Sequence, residues 1–156
     1  MISGTETLYT AAQTRALDHC AIHDYKIAGV TLMSRAADAA FRCLLDCWPD
    51  PACLQVLCGT GNNGGDALLG TGLGGDVRGD YVQAIDSINS CGAPVLAVDI
   101  PSGLCSDTGR VLGVAVHADI TVTFIGLKRG LFTLQAPDYT GAVHFSDLGV
   151  PADVYG

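Results

Sequence analysis

Basic residues are scarce in this chain. Its 156 residues carry 8 Lys plus Arg against 16 Asp plus Glu, a formal charge of −8. That balance excludes a nucleic acid or an anionic membrane held by a basic footprint. A phosphate-bearing ligand would have to be met by local N–H dipoles and by single cations such as Arg78, Lys128 and Arg129. No apolar stretch approaches the length of a membrane span, and the amino terminus lacks the basic-then-apolar order of a signal peptide. A cytoplasmic protein, or its organelle equivalent, is the expectation.

Other absences narrow the chemistry. The seven cysteines are odd in number and contain no C-x-x-C pair, so neither a disulfide framework nor a zinc ribbon is signalled. Reduced, mostly buried thiols are the ordinary reading, although Cys43 and Cys47 share a helix face at i,i+4. No Gly-Lys-Ser/Thr closes a glycine run, which excludes a P-loop. His19 and His23 are also i,i+4, but without an intervening Glu they make no H-E-x-x-H frame. Ser102 lacks the G-x-S-x-G setting of a hydrolase nucleophile.

Glycine is plentiful, with 20 residues, and two runs read G-x-G-x-x-G: Gly59 to Gly64 and Gly70 to Gly75. Glycines at the carboxyl end of a strand let backbone N–H groups converge on a phosphate without interference from Cβ. The pattern alone is weak, and an ordinary loop reads the same way. Asn62, Asn63 and Asp66 add side-chain oxygens suited to a cation or to ribose hydroxyls, but Asn-Gly is also a plain turn signal.

Apolar spacing predicts helices over 10–23 and 30–48, the second stopped by Pro49. Strands are expected at 53–58, 95–98, 118–125 and 141–145, with a helix over 81–91. Helices alternating with short apolar strands predict an α/β domain with a mostly parallel sheet. One domain spanning 1–156 follows from the length. Ligands in such sheets bind beyond the carboxyl ends of the strands. Three polar loops fall there: 62–66, 70–78 and 99–103.

Asp99 follows four apolar residues at a strand end, which suits general acid/base work; capping the Pro101-Ser102-Gly103 turn is the equally simple alternative. Lys128, just beyond a strand, could help hold phosphate, whereas a lysine in a Lys-Arg-Gly turn is ordinarily solvated. Ser102 reads as a hydroxyl or carbonyl ligand.

Taken in order, Asn62-Asn63-Gly64-Gly65-Asp66, Leu69-Gly70-Thr71-Gly72-Leu73, Val98-Asp99-Ile100-Pro101-Ser102-Gly103-Leu104 and Gly126-Leu127-Lys128-Arg129-Gly130-Leu131 resemble the NAD(P)H-hydrate epimerase family. Ala12 to Asp18 and Leu32 to Ala36 are similar to that family's first two helices, and the likeness runs from Thr10 to Pro151. It implies a Rossmann-like three-layer sandwich with two amino-terminal helices. It also implies epimerisation of the R and S forms of hydrated NADH and NADPH, for use by a partner dehydratase that is either fused at the carboxyl end or separate. A homodimer is compatible with it.

By this resemblance, Asn62, Asn63, Gly64, Gly65 and Asp66 hold the hydrated dinucleotide. Gly70, Thr71, Gly72, Leu73, Gly74, Gly75 and Asp76 cradle its pyrophosphate. Asp99 meets the reacting end, and a potassium ion sits on Asn63, Asp66 and Ser102. A non-catalytic nucleotide- or protein-binding relative is the alternative, and an NAD-dependent oxidoreductase a more distant one.

The chain departs from the family at Asp66, which runs straight into Ala67-Leu68-Leu69-Gly70. One aspartate stands where the family has two, and two βα units are missing, on the order of 50–60 residues at about 30 per βαβ unit. A parallel crossover needs about a dozen residues, more than separate Cys58 from Ala67. The flanking segments therefore cannot be neighbouring parallel strands. Either a segment of the molecule is omitted from this sequence or the protein is a shortened variant.

Overall fold

The computed structural model describes residues 7–53 and 79–155. The strand expected at 53–58 and the glycine-rich stretch up to Arg78 lie outside them, apart from Cys53.

Thr10 starts α1 (Ala11–His23) with a capping box. Its hydroxyl accepts from Gln13 N at 3.2 Å and its own N–H donates to Gln13 Oε1 at 2.8 Å, which satisfies two donors that a helix start leaves without partners. The second helix, α2 (Gly29–Cys47), ends at Trp48, because Pro49 has no N–H to continue it. The helix expected near 81–91 is α3 (Gly79–Ser90).

Three strands form one parallel sheet in the order β2 (Leu96–Val98), β3 (Ile120–Phe124), β5 (Ala142–Ser146). A second sheet, absent from the sequence expectation, pairs β1 (Leu8–Tyr9) in parallel with β4 (Leu127–Lys128). Between β4 and β5 the chain makes a 3-10 turn at Arg129–Leu131 and a short helix, α4 (Pro137–Thr140). The result is α/β with parallel pairing, as the alternation of elements predicts.

Every residue of β3 is buried, so it has a core on each face. Side chains alternate along a strand. Ile120, Val122 and Phe124 pack with Ala21 and Leu32 of α1 and α2 and with Leu148, Val150 and Val154. Thr121 and Thr123 therefore point the other way, toward the side where Ile100, Leu104, Ala115, Leu131 and Ala136 cluster. Each large apolar side chain so enclosed contributes about 1.5–3 kcal/mol. The side chain of Asn89 in α3 straps the long β2–β3 connection: its Nδ2 donates to Ala115 O at 3.0 Å, and His117 N donates to its Oδ1 at 2.9 Å. Among the described residues no helix is long and apolar enough to cross a membrane.

Candidate active site

Two neighbouring strands end in the same unusual way. At the end of β2, Ile100 N donates to Val98 O at 3.0 Å around Asp99, whose φ is 71°. At the end of β3, Gly126 N donates to Phe124 O at 2.6 Å around Ile125, whose φ is 60°. Both are three-residue γ-turns with a positive central φ, a rare and strained form. A residue other than glycine held there costs about 1–3 kcal/mol and persists only where its surroundings fix it. Ile125 is fixed by burial in the helix-side core and by donating to Ser146 O at 3.0 Å. Asp99 is fixed by its backbone N–H, which donates to Val122 O at 2.7 Å, and by its side chain.

The second turn also redirects the chain, so that β4 carries Lys128 back toward Asp99. The Lys128 ammonium donates to Asp99 Oδ1 in an ion pair and lies 3.3 Å from Thr123 Oγ1, which is itself 3.4 Å from the same carboxylate oxygen. Lys128 is 3% exposed, and the Asp99 side chain 22%. The solvated Lys-Arg-Gly turn does not fit this lysine, whose head group lies inside the protein against a carboxylate. The long side chain is enclosed because Leu127 and Lys128 form a strand with Leu8 and Tyr9.

Beyond Asp99 the chain turns tightly. Leu104 N donates to Pro101 O at 3.1 Å, and Ser102 is buried with its carbonyl accepting from Val116 N at 2.9 Å. Gly103 has φ 93°, and a Cβ there would stand 2.0 Å from Val114 O. Only glycine fits there, and the Asp99 carboxylate meets Lys128 and Thr123. Further along, Asp107 Oδ1 accepts from Ala11 N at 2.7 Å, placing a carboxylate on the amino terminus of α1.

The structure thus brings Asp99, Lys128 and Ser102 to one end of the sheet. Asn62, Asn63, Gly64, Gly65, Asp66, Gly70, Thr71, Gly72, Leu73, Gly74, Gly75 and Asp76 lie outside the described residues. Sequence reasoning missed Thr123 and Asp107. Two threonines alternating with apolar residues over Ile120–Phe124 were the available signal for Thr123; Asp107 had none.

Residues 29–69 and 66–130 match the family described as YjeF-related protein N-terminus. An NAD(P)H-hydrate epimerase of Limosilactobacillus fermentum is 33% identical over 202 residues, which take in 92% of this chain and 97% of that protein. The chain belongs to the NAD(P)H-hydrate epimerase family. A bifunctional NAD(P)H-hydrate repair enzyme of Coxiella burnetii is 34% identical over 203 residues, 92% of this chain and 41% of the relative. One from Escherichia coli is 35% identical over 193 residues, 83% of this chain and 38% of the relative. The chain spans about two fifths of the length of these bifunctional relatives.

Family membership also sharpens the seam. The two matched stretches overlap at 66–69, so Asp66-Ala67-Leu68-Leu69 ends one and begins the other. The Coxiella alignment has 203 positions, and 92% of 156 residues supplies about 144 of them, leaving about 59 positions with no residue here.

Proposed function

We propose that this chain interconverts the R and S forms of NADH or NADPH hydrated on the nicotinamide ring, with Asp99 as the general acid/base. One observation carries the reading: a carboxylate at the carboxyl end of a parallel sheet, held on a strained turn by a buried ammonium and a threonine hydroxyl. Such a group has the fixed position that proton transfer needs.

In the forward direction Asp99, in its carboxylic acid form, gives a proton to the ring hydroxyl, which leaves as water and leaves the ring cationic. In the return, water adds to the opposite face and gives a proton back to the same carboxylate. Atoms and charge balance over the cycle, and no hydride moves. Lys128 keeps the carboxylate oriented and its charge compensated while the ring is cationic.

Asn63, Asp66 and Ser102 would hold a potassium ion. Amide, carboxylate and hydroxyl oxygens are the hard donors that such a cation prefers, and Ser102 is already fixed in the turn beside Asp99. Bound there, potassium would supply a fixed positive charge next to the dinucleotide. The stretch from Asn62 to Asp76 would hold the nucleotide, and a dehydratase acting on the S form is the expected partner.

About 59 absent alignment positions favour a second reading, a nucleotide-binding relative without catalysis. Chromatographic resolution of R- and S-hydrates after incubation with the protein and potassium separates the two. Equilibration of pure R-hydrate, lost in Asp99→Asn, supports the epimerase. Hydrate binding with no equilibration by the unaltered chain establishes the other reading.

A further inference from the structure

A second cluster of reactive side chains lies on the other face of the sheet. Cys43 and Cys47 are one helical turn apart on α2, and His144 stands on β5, paired with Val122 of β3. Val122 faces the helices, and its neighbour Thr123 faces Asp99, so the sheet separates this cluster from the proposed active site. The two Sγ atoms and an imidazole nitrogen all lie within 4.8 Å of one another. Cys43 and His144 line a groove of about 470 Å³ between α2 and β5, together with Asp46, Arg35 and Arg42.

We propose that Cys43, Cys47 and His144 form a binding site for a soft or borderline divalent metal ion of the zinc type, which ties α2 to β5.

The donor set selects the ion. Thiolate and imidazole suit zinc and disfavour magnesium or calcium, which take oxygen ligands. Zinc–sulfur bonds of about 2.3 Å and zinc–nitrogen bonds of about 2.0–2.1 Å span the observed gaps after small side-chain rotations. A disulfide suits the place less well. Cβ atoms at i,i+4 on a helix are about 5–6 Å apart, whereas a disulfide needs about 3.5–4.5 Å.

Cys43 and His144 are half-buried and Cys47 is exposed, so the groove offers an entry path and leaves the fourth tetrahedral position to water. Two ligands come from the helix and one from the strand, so the bound ion would join them across the margin of the core. Binding would release the thiol protons.

Cobalt(II) titration of the reduced, metal-free chain tests this directly. The expected result is one equivalent of cobalt with sulfur-to-cobalt charge-transfer absorption, displaced by zinc. Zinc should also raise the melting temperature, because it binds the folded state preferentially. Cys43→Ser and Cys47→Ser should each abolish tight binding, and His144→Gln should weaken it at least tenfold. Cys91→Ser, away from the cluster, should bind as the unaltered chain does. Circular dichroism establishes that each variant is folded, and Asp99→Asn should retain full binding, which keeps this site independent of the catalytic proposal. Equal cobalt affinity in a folded Cys43→Ser/Cys47→Ser double variant, or unchanged affinity in His144→Gln, overturns it.

Discussion

The Lys128 ammonium meets the Asp99 carboxylate from a different strand, with both residues placed by γ-turns at the ends of adjacent strands. Removing one partner of an enclosed ion pair costs more than removing both, because the survivor is left without compensation. Asp99→Asn should therefore lower stability by about 2 kcal/mol and abolish epimerisation. Adding Lys128→Met should recover most of the stability and none of the activity. Urea denaturation of the three variants checks this, and additive losses would show the pair to be uncoupled.

Gly103→Ala should be severe. A positive φ disfavours any Cβ, and here the added carbon would meet Val114 O at 2.0 Å. The expected loss is on the order of 3 kcal/mol, with the turn carrying Ser102 displaced. Thermal melts against the unaltered chain measure it.

Asp107→Ala should cost about 0.5–2 kcal/mol, the usual range for losing a side-chain acceptor at a helix start. Ala11 N would lose its 2.7 Å acceptor, and α1 would lose a carboxylate from its positive end. Asp107→Asn should keep the hydrogen bond and recover part of the loss. Equal melting temperatures for all three proteins would remove Asp107 from the account.

The Tyr155 hydroxyl is buried without a partner among the described residues. Burial, then the charge of Asp147, pushes this phenol up from 10.0 to about 12. A folded-state value above the unfolded one means that the folded protein binds the extra proton. The contribution is complete below pH 10 and lost as pH rises from 10 to about 12. Tyr155→Phe should make that alkaline fall shallower and leave stability at pH 7 unchanged or about 1 kcal/mol higher. Urea midpoints across this pH range provide the readout.

The elements legible in the sequence are those with enough length to show a period. Helices α1, α2 and α3 and strands β2, β3 and β5 lie within a few residues of the expected places. Strands β1 and β4 have two residues each, too few for alternation to register, and their pairing joins residues 8–9 to 127–128. Missing that pairing made Lys128 look like a loop residue. Asp99 was legible because a strand end is a local feature, whereas Thr123 gained its meaning only from a lysine and an aspartate on other strands. Cys43 and Cys47 were visible as a helical pair, but nothing local to them pointed to His144.

The same β1–β4 pairing bears on the order in which the protein is made. Synthesis at about 5–20 residues per second delivers Asp99 before Lys128, so the carboxylate emerges ahead of the ammonium that will hold it. Leu8 and Tyr9 emerge well before both and wait for Leu127 and Lys128. Closing so long a loop carries an entropic cost and slows folding. A ribosome stalled before residue 127 would thus hold a nascent chain with most of its helices and an unfinished Asp99 turn.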